Sequence, residues 1–272
     1  MMTSLLAKFE LRSQTAALKL HGRIPEFSWI DVARTFTQPC NDWPTERLAI
    51  PQGEPDVKGL VAYQTPIGLL SYQPWGQRIV GLLAIEEMRG VYDHPPVSVK
   101  QGDIVIDLGA NIGSFSRYAL SKGAAKVVAF EPEPLHIDCL EKAFAEDIKA
   151  GRMIIVKAAA WREKTTLHFE SSGLTSHVSD GGISIPATTI DETVKELNLP
   201  RVDFIKADIE GAEREALAGA KWCIATFAPR MALCIYHLPD DPQVITSLVA
   251  GIRPYKIWYN SGKTQAFFAA GT

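Results

Sequence analysis

The chain of 272 residues is poor in cysteine, in unbalanced charge and in long apolar runs. Its four cysteines show no Cys-x-x-Cys or other metal-binding spacing, so we expect reduced core thiols in a cytoplasmic protein. Its 28 basic and 31 acidic residues leave a formal net charge of −3, and we therefore predict no nucleic-acid partner. The cysteines are Cys40, Cys139, Cys223 and Cys234.

The N-terminal segment lacks the unbroken apolar core that a signal peptide or a membrane span requires. Within the first 20 residues, charged side chains interrupt the apolar ones at Lys8, Glu10, Arg12 and Lys19. We expect a surface helix that caps the domain, and we predict no membrane span. The alternative is a helix that binds a partner or a second copy of the chain, which would make a homodimer.

The composition, with 46% hydrophobic and 22% charged residues, is that of an ordinary globular protein. A length of 272 residues suits one α/β domain with an extension. We predict that residues 1–89 form the extension, with a helix, a proline-rich lead-in, a β-hairpin at 59–74 and a second helix at 79–89. Residues 90–272 would then form the ligand-binding domain.

The stretch at residues 103–113 predicts a strand, a glycine-rich turn and the start of a helix. Residues 104–106 are β-branched, as in a strand buried on both faces of a parallel sheet. Gly109 and Gly113 follow, and glycine suits a turn where a ligand lies against the backbone. A second strand ends at Glu131, about 24 residues after Asp107, near the ~20-residue spacing of nucleotide-binding βαβ units. The glycine turn and Glu131 together indicate a ligand-binding loop, whereas the glycines alone fit a plain tight turn equally well.

The turn does not fit a dinucleotide. The fingerprint Gly-x-Gly-x-x-Gly is incomplete, because its three positions hold Gly109, Asn111 and Ser114. Asp107 at the strand tip would also repel a pyrophosphate. S-adenosylmethionine has no phosphate, and its ammonium and sulfonium groups are cations that Asp107 would attract. An acid at the position of Glu131 can bind both ribose hydroxyls.

Two motifs resemble a known family. The sequence Asp107-Leu-Gly-Ala-Asn-Ile-Gly113 with Phe130-Glu131-Pro132 resembles the cofactor loop of class I methyltransferases, and Lys206-Ala-Asp-Ile-Glu-Gly-Ala-Glu213 resembles the hallmark of the FkbM family. The similarity runs from about residue 90 to 269. It implies a Rossmann-like α/β sheet, mostly parallel with a final antiparallel hairpin. It also implies S-adenosylmethionine as cofactor and O-methylation of a hydroxyl on a sugar, glycan or small natural product.

The cofactor-binding residues are predicted from the first motif and from two flanking segments. A third strand at 153–160 would flank the adenine at its end, which includes Ala159. The loop at 90–96 can lie over the cofactor, so Tyr92 and His94 are candidates, although each also suits an ordinary loop. The full predicted set is Asp107, Gly109, Ala110, Asn111, Gly113, Glu131, Pro132, Ala159 and Tyr92.

Other elements follow from apolar periodicity and turn residues. We expect one helix at 134–150, sheet-edge strands at 165–170 and 183–189, and a helix at 191–197 that Asp191 caps. The polar segment at 171–182 fits either a lid or an idle surface loop.

The catalytic residues are expected at the ends of the fourth and fifth strands, at 202–210 and 231–237. Lys206, Asp208 and Glu210 alternate at period two, so one face of the strand would carry all three. We predict that His237 or Asp208 accepts the acceptor's proton and that Lys206 pairs with a carboxylate and keeps it ionised. The alternative for Lys206, Asp208 and Glu210 is a structural ion pair, and the alternative for His237 is a purely structural role. Glu213 is explained by the helix dipole.

Methyl transfer requires no metal, and we predict none. Asp208, Glu210 and His237 can converge, however, so a bound cation stays as an alternative.

Two other functions remain as alternatives. An NAD-dependent oxidoreductase should carry the complete glycine fingerprint, which is absent. A non-catalytic S-adenosylmethionine-binding protein should lack the acids at the fourth strand, which are present. The acceptor's identity is not encoded in any motif.

Overall fold

The computed structural model describes residues 5–25, 27–37, 44–170, 177–178 and 181–271. Cys40 and most of the polar segment expected at 171–182 lie outside the described residues. The other three cysteines are buried free thiols, as predicted. Within the described ranges, no helix combines the length and the apolar character that crossing a bilayer requires.

The described residues form ten α-helices and two short 3-10 helices, the latter at Thr45–Leu48 and Pro74–Gly76. The α-helices are α1 Leu5–Leu20, α2 Trp29–Thr37, α3 Gln77–Met88, α4 Ser114–Ser121, α5 Pro134–Ala143, α6 Ala145–Lys149, α7 Ile190–Glu196, α8 Glu213–Ala218, α9 Lys221–Phe227 and α10 Asp241–Ile252.

The strands of the described residues belong to three sheets. They are β1 Ile50–Gln52, β2 Val61–Thr65, β3 Gly68–Tyr72, β4 Ile104–Leu108, β5 Lys126–Phe130, β6 Met153–Val156, β7 Ala159–Ala160, β8 Thr165–Glu170, β9 His177–Val178, β10 Ile183–Thr188, β11 Phe204–Ala207, β12 Arg230–Cys234, β13 Tyr255–Tyr259 and β14 Gln265–Ala270.

The central sheet has seven strands in the order β13-β14-β12-β11-β4-β5-β6. The strands from β12 to β6 are parallel, and β14 is antiparallel to both of its neighbours. The chain leaves β4 toward β5 on one side and reaches β11 on the other, so the strand order reverses beside β4. In open α/β sheets ligands bind at such a reversal, beyond the carboxyl ends of the strands. The expected parallel sheet with a final antiparallel hairpin is therefore present.

The apolar runs form this sheet because helices cover both of its faces. Every residue of β4 is buried, and Val105 and Ile106 contribute to core clusters on opposite faces. A strand with one solvent-facing side would alternate apolar and polar residues. The unbroken β-branched run therefore requires two covered faces, and α4 and α5 pack on the side of Val105 through Phe115 and Leu140.

The extension contains the predicted hairpin, with β2 and β3 joined in a three-stranded antiparallel sheet with β1. Its buried Leu70 and Val80 share one apolar cluster with Ile112 of the glycine turn and Cys139 of α5. Helix α3 thus lies beside the loop that follows β4. A domain boundary near residue 90 stays a prediction, and the shared cluster ties the two parts together.

Two expected elements are divided. The helix expected at 134–150 is two helices, because the backbone at Phe144 leaves the helical region with φ −109° and ψ 19°. That break places the Phe144 ring under the guanidinium of Arg117, 3.9 Å from its centroid. The third strand ends at Val156, and β7 pairs instead with β10 in a sheet of order β7-β10-β8-β9. The strands at 165–170 and 183–188 therefore form a separate sheet rather than the edge of the central one.

Asp191 does not cap the helix in which it lies. The carboxylate accepts hydrogen bonds from the backbone N–H groups of Trp222 and Cys223, at 2.9 and 2.8 Å, and so caps α9. Thr189 caps α7 instead, because its hydroxyl accepts from the Glu192 N–H at 2.9 Å. The prediction that Asp191 caps α7 was wrong, because the sequence pattern does not show which helix N-terminus lies nearest to its carboxylate in the fold.

Candidate active site

The turn after β4 requires glycine at its first position. Gly109 has φ +72°, and a Cβ there would collide with the backbone carbonyl oxygen of Asp208. The turn is also tied to β5, since the N–H groups of Gly109 and Ala110 both donate to the Phe130 carbonyl, at 3.1 and 3.0 Å. Asn111, with φ +52°, donates its N–H to Glu131 Oε2 at 2.7 Å. The close approach brings the ends of β4, β5 and β11 together.

A cleft, here called the main cleft, opens at these strand ends. Seven of the nine predicted cofactor-binding residues line it, namely Tyr92, Gly109, Ala110, Asn111, Glu131, Pro132 and Ala159. Further lining comes from Ala158, Ala160, Phe130, Ile209, Ala212, Leu83, Ser114, Lys206, Asp208, Glu210, His136, Glu86 and Glu87. The cleft thus combines an apolar end at the alanines with an acidic end beside α3.

Asp107 and Gly113 lie behind the turn rather than in the lining of the main cleft. The Asp107 carboxylate is fully buried, accepts a hydrogen bond from Ser116 Oγ at 2.7 Å and lies 3.2 Å from Lys206 Nζ. At Gly113, with φ +91°, a Cβ would collide with the Phe144 ring. The structure gives Asp107 an internal ion pair and Gly113 a packing contact, and a direct cofactor contact by either residue stays a prediction.

Lys206 fastens the turn to β11. Its Nζ donates to the carbonyl oxygens of Leu108 and Gly109, at 3.1 and 2.8 Å, besides pairing with Asp107. Burial is the largest single effect on the pKa of Lys206 and lowers it. The charge attraction of Asp107, followed by that of Asp208, outweighs burial and raises the pKa to about 12. The ammonium is therefore charged, and the carboxylate that it pairs with most closely is Asp107 rather than one in the main cleft.

Glu131 is held at the edge of the main cleft by backbone donors. Besides Asn111, the N–H of Glu133 donates to Oε1 at 2.9 Å. A carboxylate oxygen can accept more than one hydrogen bond, so capacity remains for hydroxyls of a ligand. His136 lies 3.5 Å from Oε1 through Nδ1, and its Nε2 is buried without a hydrogen-bond partner. Sequence reasoning missed His136, although a histidine in the helix after Glu131 was a visible signal.

Glu86 and Glu87 on α3 form the acidic end of the main cleft, and sequence reasoning missed both. Burial raises the pKa of Glu86 to about 7 and that of Glu87 to about 8. Glu87 accepts from Ser114 Oγ at 3.2 Å, and its other oxygen is buried without a partner. Adjacent acids in an otherwise apolar helix were the available signal. A cation bound in the cleft would favour the ionised forms of both.

Asp208, Glu210, Glu213 and His237 meet beyond the ends of β11 and β12, and this group is here called the His237 cluster. The strands end at Ala207 and Cys234, so the expected alternation along one strand face does not exist. A turn with Glu210 at φ +52° brings the acids together instead. The predicted convergence of Asp208, Glu210 and His237 is present, but a loop produces it.

Within the His237 cluster, His237 Nδ1 lies 3.0 Å from Glu213 Oε1, and Nε2 lies 3.5 Å from both Asp208 Oδ1 and Glu210 Oε2. Burial lowers the pKa of His237, but the carboxylates, Glu213 foremost, outweigh it and raise the pKa overall. Glu213 is almost fully buried and also accepts from the N–H groups of Ile209 and Gly211. The helix-dipole explanation for Glu213 was therefore incomplete.

A second cavity of about 610 Å³ adjoins the main cleft and is here called the outer cavity. Both cavities are lined by Glu86, Tyr92 and Asp208. The Tyr92 hydroxyl donates to Asp208 Oδ2 at 2.7 Å, so this pair stands between the two spaces. His94 lines the outer cavity only, where it stacks on Phe267 with centroids 5.1 Å apart. Further lining of the outer cavity includes Tyr236, Tyr259, Asn260 and Gln265.

Two known proteins are similar to this chain over more than half of its length. The hexuronic acid methyltransferase AglP of Haloferax volcanii is 25% identical over 182 residues, covering 64% of this chain and 74% of AglP. The 31-O-demethyl-FK506 methyltransferase FkbM of Streptomyces tacrolimicus is 25% identical over 196 residues, covering 58% of this chain and 73% of that protein.

A solved structure, that of methyltransferase FkbM from Methylobacillus flagellatus, aligns with a TM-score of 0.51 at 18% identity. The alignment covers 72% of this chain and 55% of the other, and it supports the Rossmann-like methyltransferase fold. The methyltransferase FkbM domain family matches residues 107–255, which is more than half of the 272 residues. The glycine turn, the His237 cluster and the outer parallel strands all fall within the matched range, and the protein belongs to the FkbM family of methyltransferases.

Proposed function

We propose that this enzyme transfers a methyl group from S-adenosylmethionine to a hydroxyl oxygen of a sugar, glycan or small natural product. The observation that carries the proposal is the meeting of two cavities at the Tyr92–Asp208 pair. A methyltransferase needs one site for the methyl donor and an adjoining site for the acceptor. The main cleft suits the donor and the outer cavity the acceptor.

The residues of the main cleft fit S-adenosylmethionine. Gly109 lines the cleft without a side chain, and His136 offers a buried ring nitrogen without a partner. Glu86 and Glu87 supply carboxyl groups for a cationic ligand. The bound cofactor would supply an electrophilic methyl group on a sulfonium. A dinucleotide would instead place its phosphates beside these acids, which disfavours the oxidoreductase alternative.

Each part of the main cleft then has a role. Glu131 would hold the ribose hydroxyls, since backbone donors fix its carboxylate and leave further acceptor capacity. Residues 158–160 would flank the adenine with small side chains. The backbone at 109–111 would lie along the amino-acid part. Asp107 and Lys206 act as positioning residues, because they hold the turn from behind.

The proposed proton acceptor is Asp208 or His237. Asp208 lines both cavities, and its Oδ1 is buried without a hydrogen-bond partner, 3.5 Å from His237 Nε2. As the acceptor oxygen bonds to the methyl carbon, the carbon–sulfur bond would break with its electron pair left on sulfur, giving S-adenosylhomocysteine, and the hydroxyl proton would pass to this pair, with Glu210 beside it. Most of the rate gain would come from holding the two reacting atoms in line.

The relatives support an acceptor that is a sugar or a natural product. AglP acts on a hexuronic acid and the Streptomyces tacrolimicus relative methylates the 31-O position of FK506, by their names. A non-catalytic binding protein would need the donor site alone, whereas the His237 cluster and the outer cavity give this chain an acceptor side. We retain a cytoplasmic location and no nucleic-acid partner as predictions from the sequence, and a homodimer as the alternative to a capping N-terminal helix, which light scattering tests.

The first experiment is a thermal-shift measurement with S-adenosylmethionine, S-adenosylhomocysteine and NAD. A ligand at 100 times its dissociation constant stabilises the native state by about 2.7 kcal/mol. We expect stabilisation by the first two ligands and none by NAD, and the reverse pattern would refute the donor assignment. A panel of glycans and hydroxylated metabolites, scored by release of S-adenosylhomocysteine, then identifies the acceptor.

A further inference from the structure

Three members of the His237 cluster present metal-ligand atoms to one another. Asp208, Glu213 and His237 each offer one such atom, and the three atoms lie within 4.8 Å. Among the residues that the structure describes, this is the group with such spacing. The three come from the turn after β11, the first turn of α8 and the segment after β12. The strands β11 and β12 therefore fix where the three residues begin to leave the sheet.

Two of the potential ligand atoms have no hydrogen-bond partner. The His237 side chain is only 7% exposed, and its Nδ1 pairs with Glu213 at 3.0 Å, whereas its Nε2 is buried without a hydrogen bond. Asp208 Oδ1 is likewise buried without a hydrogen bond and lies 3.5 Å from that Nε2. A buried polar atom left in this state is unfavourable. Two such atoms facing each other beside Glu213 indicate a ligand that satisfies them together.

The charge balance favours a cationic ligand. Three carboxylates, those of Asp208, Glu210 and Glu213, surround one imidazole, so the group stays negative even when His237 is protonated. Among the described residues, two neighbouring cations have closer partners outside the cluster. Lys206 pairs with Asp107 at 3.2 Å, and Arg214 pairs with Asp240 and Asp241.

We propose that Asp208, Glu213 and His237 bind a divalent cation. Two carboxylates and one imidazole suit Mn²⁺ or Zn²⁺, since carboxylates favour hard ions and imidazole favours borderline ones. Because Asp208 also lines the main cleft and the outer cavity, the ion would lie beside their junction.

The role of the ion rests on the proposed function. An acceptor hydroxyl bound to it would be polarised and oriented toward the donor site. Asp208 and His237 would then serve as ligands, and the proton would pass to Glu210, which lines the main cleft without belonging to the ligand set. The assignment of the base therefore depends on whether the ion is present.

The test is Mn²⁺ binding to the full chain, freed of metal by chelation, with free Mn²⁺ followed by electron paramagnetic resonance. We expect one ion per chain, competed by Zn²⁺. Asp208→Asn and His237→Ala should each weaken binding by at least about tenfold, in line with the losses seen when metal sites are disturbed. The control is Glu54→Gln, an exposed acid far along the chain from the cluster, which should bind as the wild type does.

No binding by the wild-type chain up to about 1 mM Mn²⁺, the weak end of protein sites for such ions, would overturn the proposal. Equal affinity in the wild type and both cluster variants would overturn it too, because binding would then lie elsewhere. Circular dichroism in chelator shows whether each variant is folded, and the wild-type measurement stands without the variants. Neither cofactor nor acceptor enters this test, so its failure leaves the thermal-shift result for S-adenosylmethionine intact.

Discussion

Glu87 should make the free energy of unfolding fall as the pH rises through the neutral range. The side chain is 4% exposed on α3, and burial before all other effects raises its pKa from an ordinary 4.5 to about 8. Between these two values the folded chain keeps a proton that the unfolded chain has released. The stabilisation is therefore complete below about pH 4.5 and is lost as the pH passes about 8.

The magnitude follows from the difference between the two states. One pKa unit is worth about 1.4 kcal/mol, so the change from 4.5 to about 8 sets a ceiling of about 5 kcal/mol. Relaxation around the ionised group lowers this ceiling, and we expect a loss of about 2–4 kcal/mol. Glu87→Gln removes the titrating group at nearly constant shape. Its stability should therefore exceed that of the wild type by about this amount at pH 8.5.

Urea unfolding followed by circular dichroism at pH 5, 7 and 8.5, without ligand, measures the effect. Glu54→Gln, which removes an exposed acid, is the matched control and should follow the wild-type curve at every pH. If Glu87→Gln and the wild type lose stability in parallel from pH 5 to 8.5, then burial does not hold Glu87 protonated. The acidic end of the main cleft would then be ionised before any ligand binds.

Three further predictions concern the site. Gly109→Ala should lower the free energy of unfolding by about 2–4 kcal/mol, because of backbone strain and a collision with Asp208. Gly102→Ala, at a position with open space, should lower it only by the strain, and urea unfolding measures both variants. Glu131→Ala should weaken S-adenosylmethionine binding by about 1–3 kcal/mol in calorimetry, and unchanged affinity would remove its ribose role. Asp208→Asn and His237→Ala should each lower turnover by about 10²–10⁴-fold with little change in cofactor affinity. If both variants kept the wild-type rate, positioning of the two substrates alone would account for the catalysis.

The parts predicted well from the sequence depend on short-range rules. The β-branched run at 104–106 predicts a doubly covered strand because only a buried strand tolerates no polar face. Gly109 was identifiable because the turn needs a left-handed backbone, which is a local requirement. The spacing to Glu131 follows from the length of one helix between parallel strands. Seven of the nine predicted cofactor residues line the main cleft for these reasons.

What the sequence determined by itself was therefore the central sheet, the glycine turn and the acid at the end of β5, since periodicity and backbone limits act within a few residues. The tertiary structure alone decided the pairings. Lys206 lies closest to Asp107, Glu87 of the extension reaches the main cleft, and Glu213 joins His237. These groups come from elements far apart in the chain, and which charges meet depends on how helices pack on the sheet, which no residue spacing records.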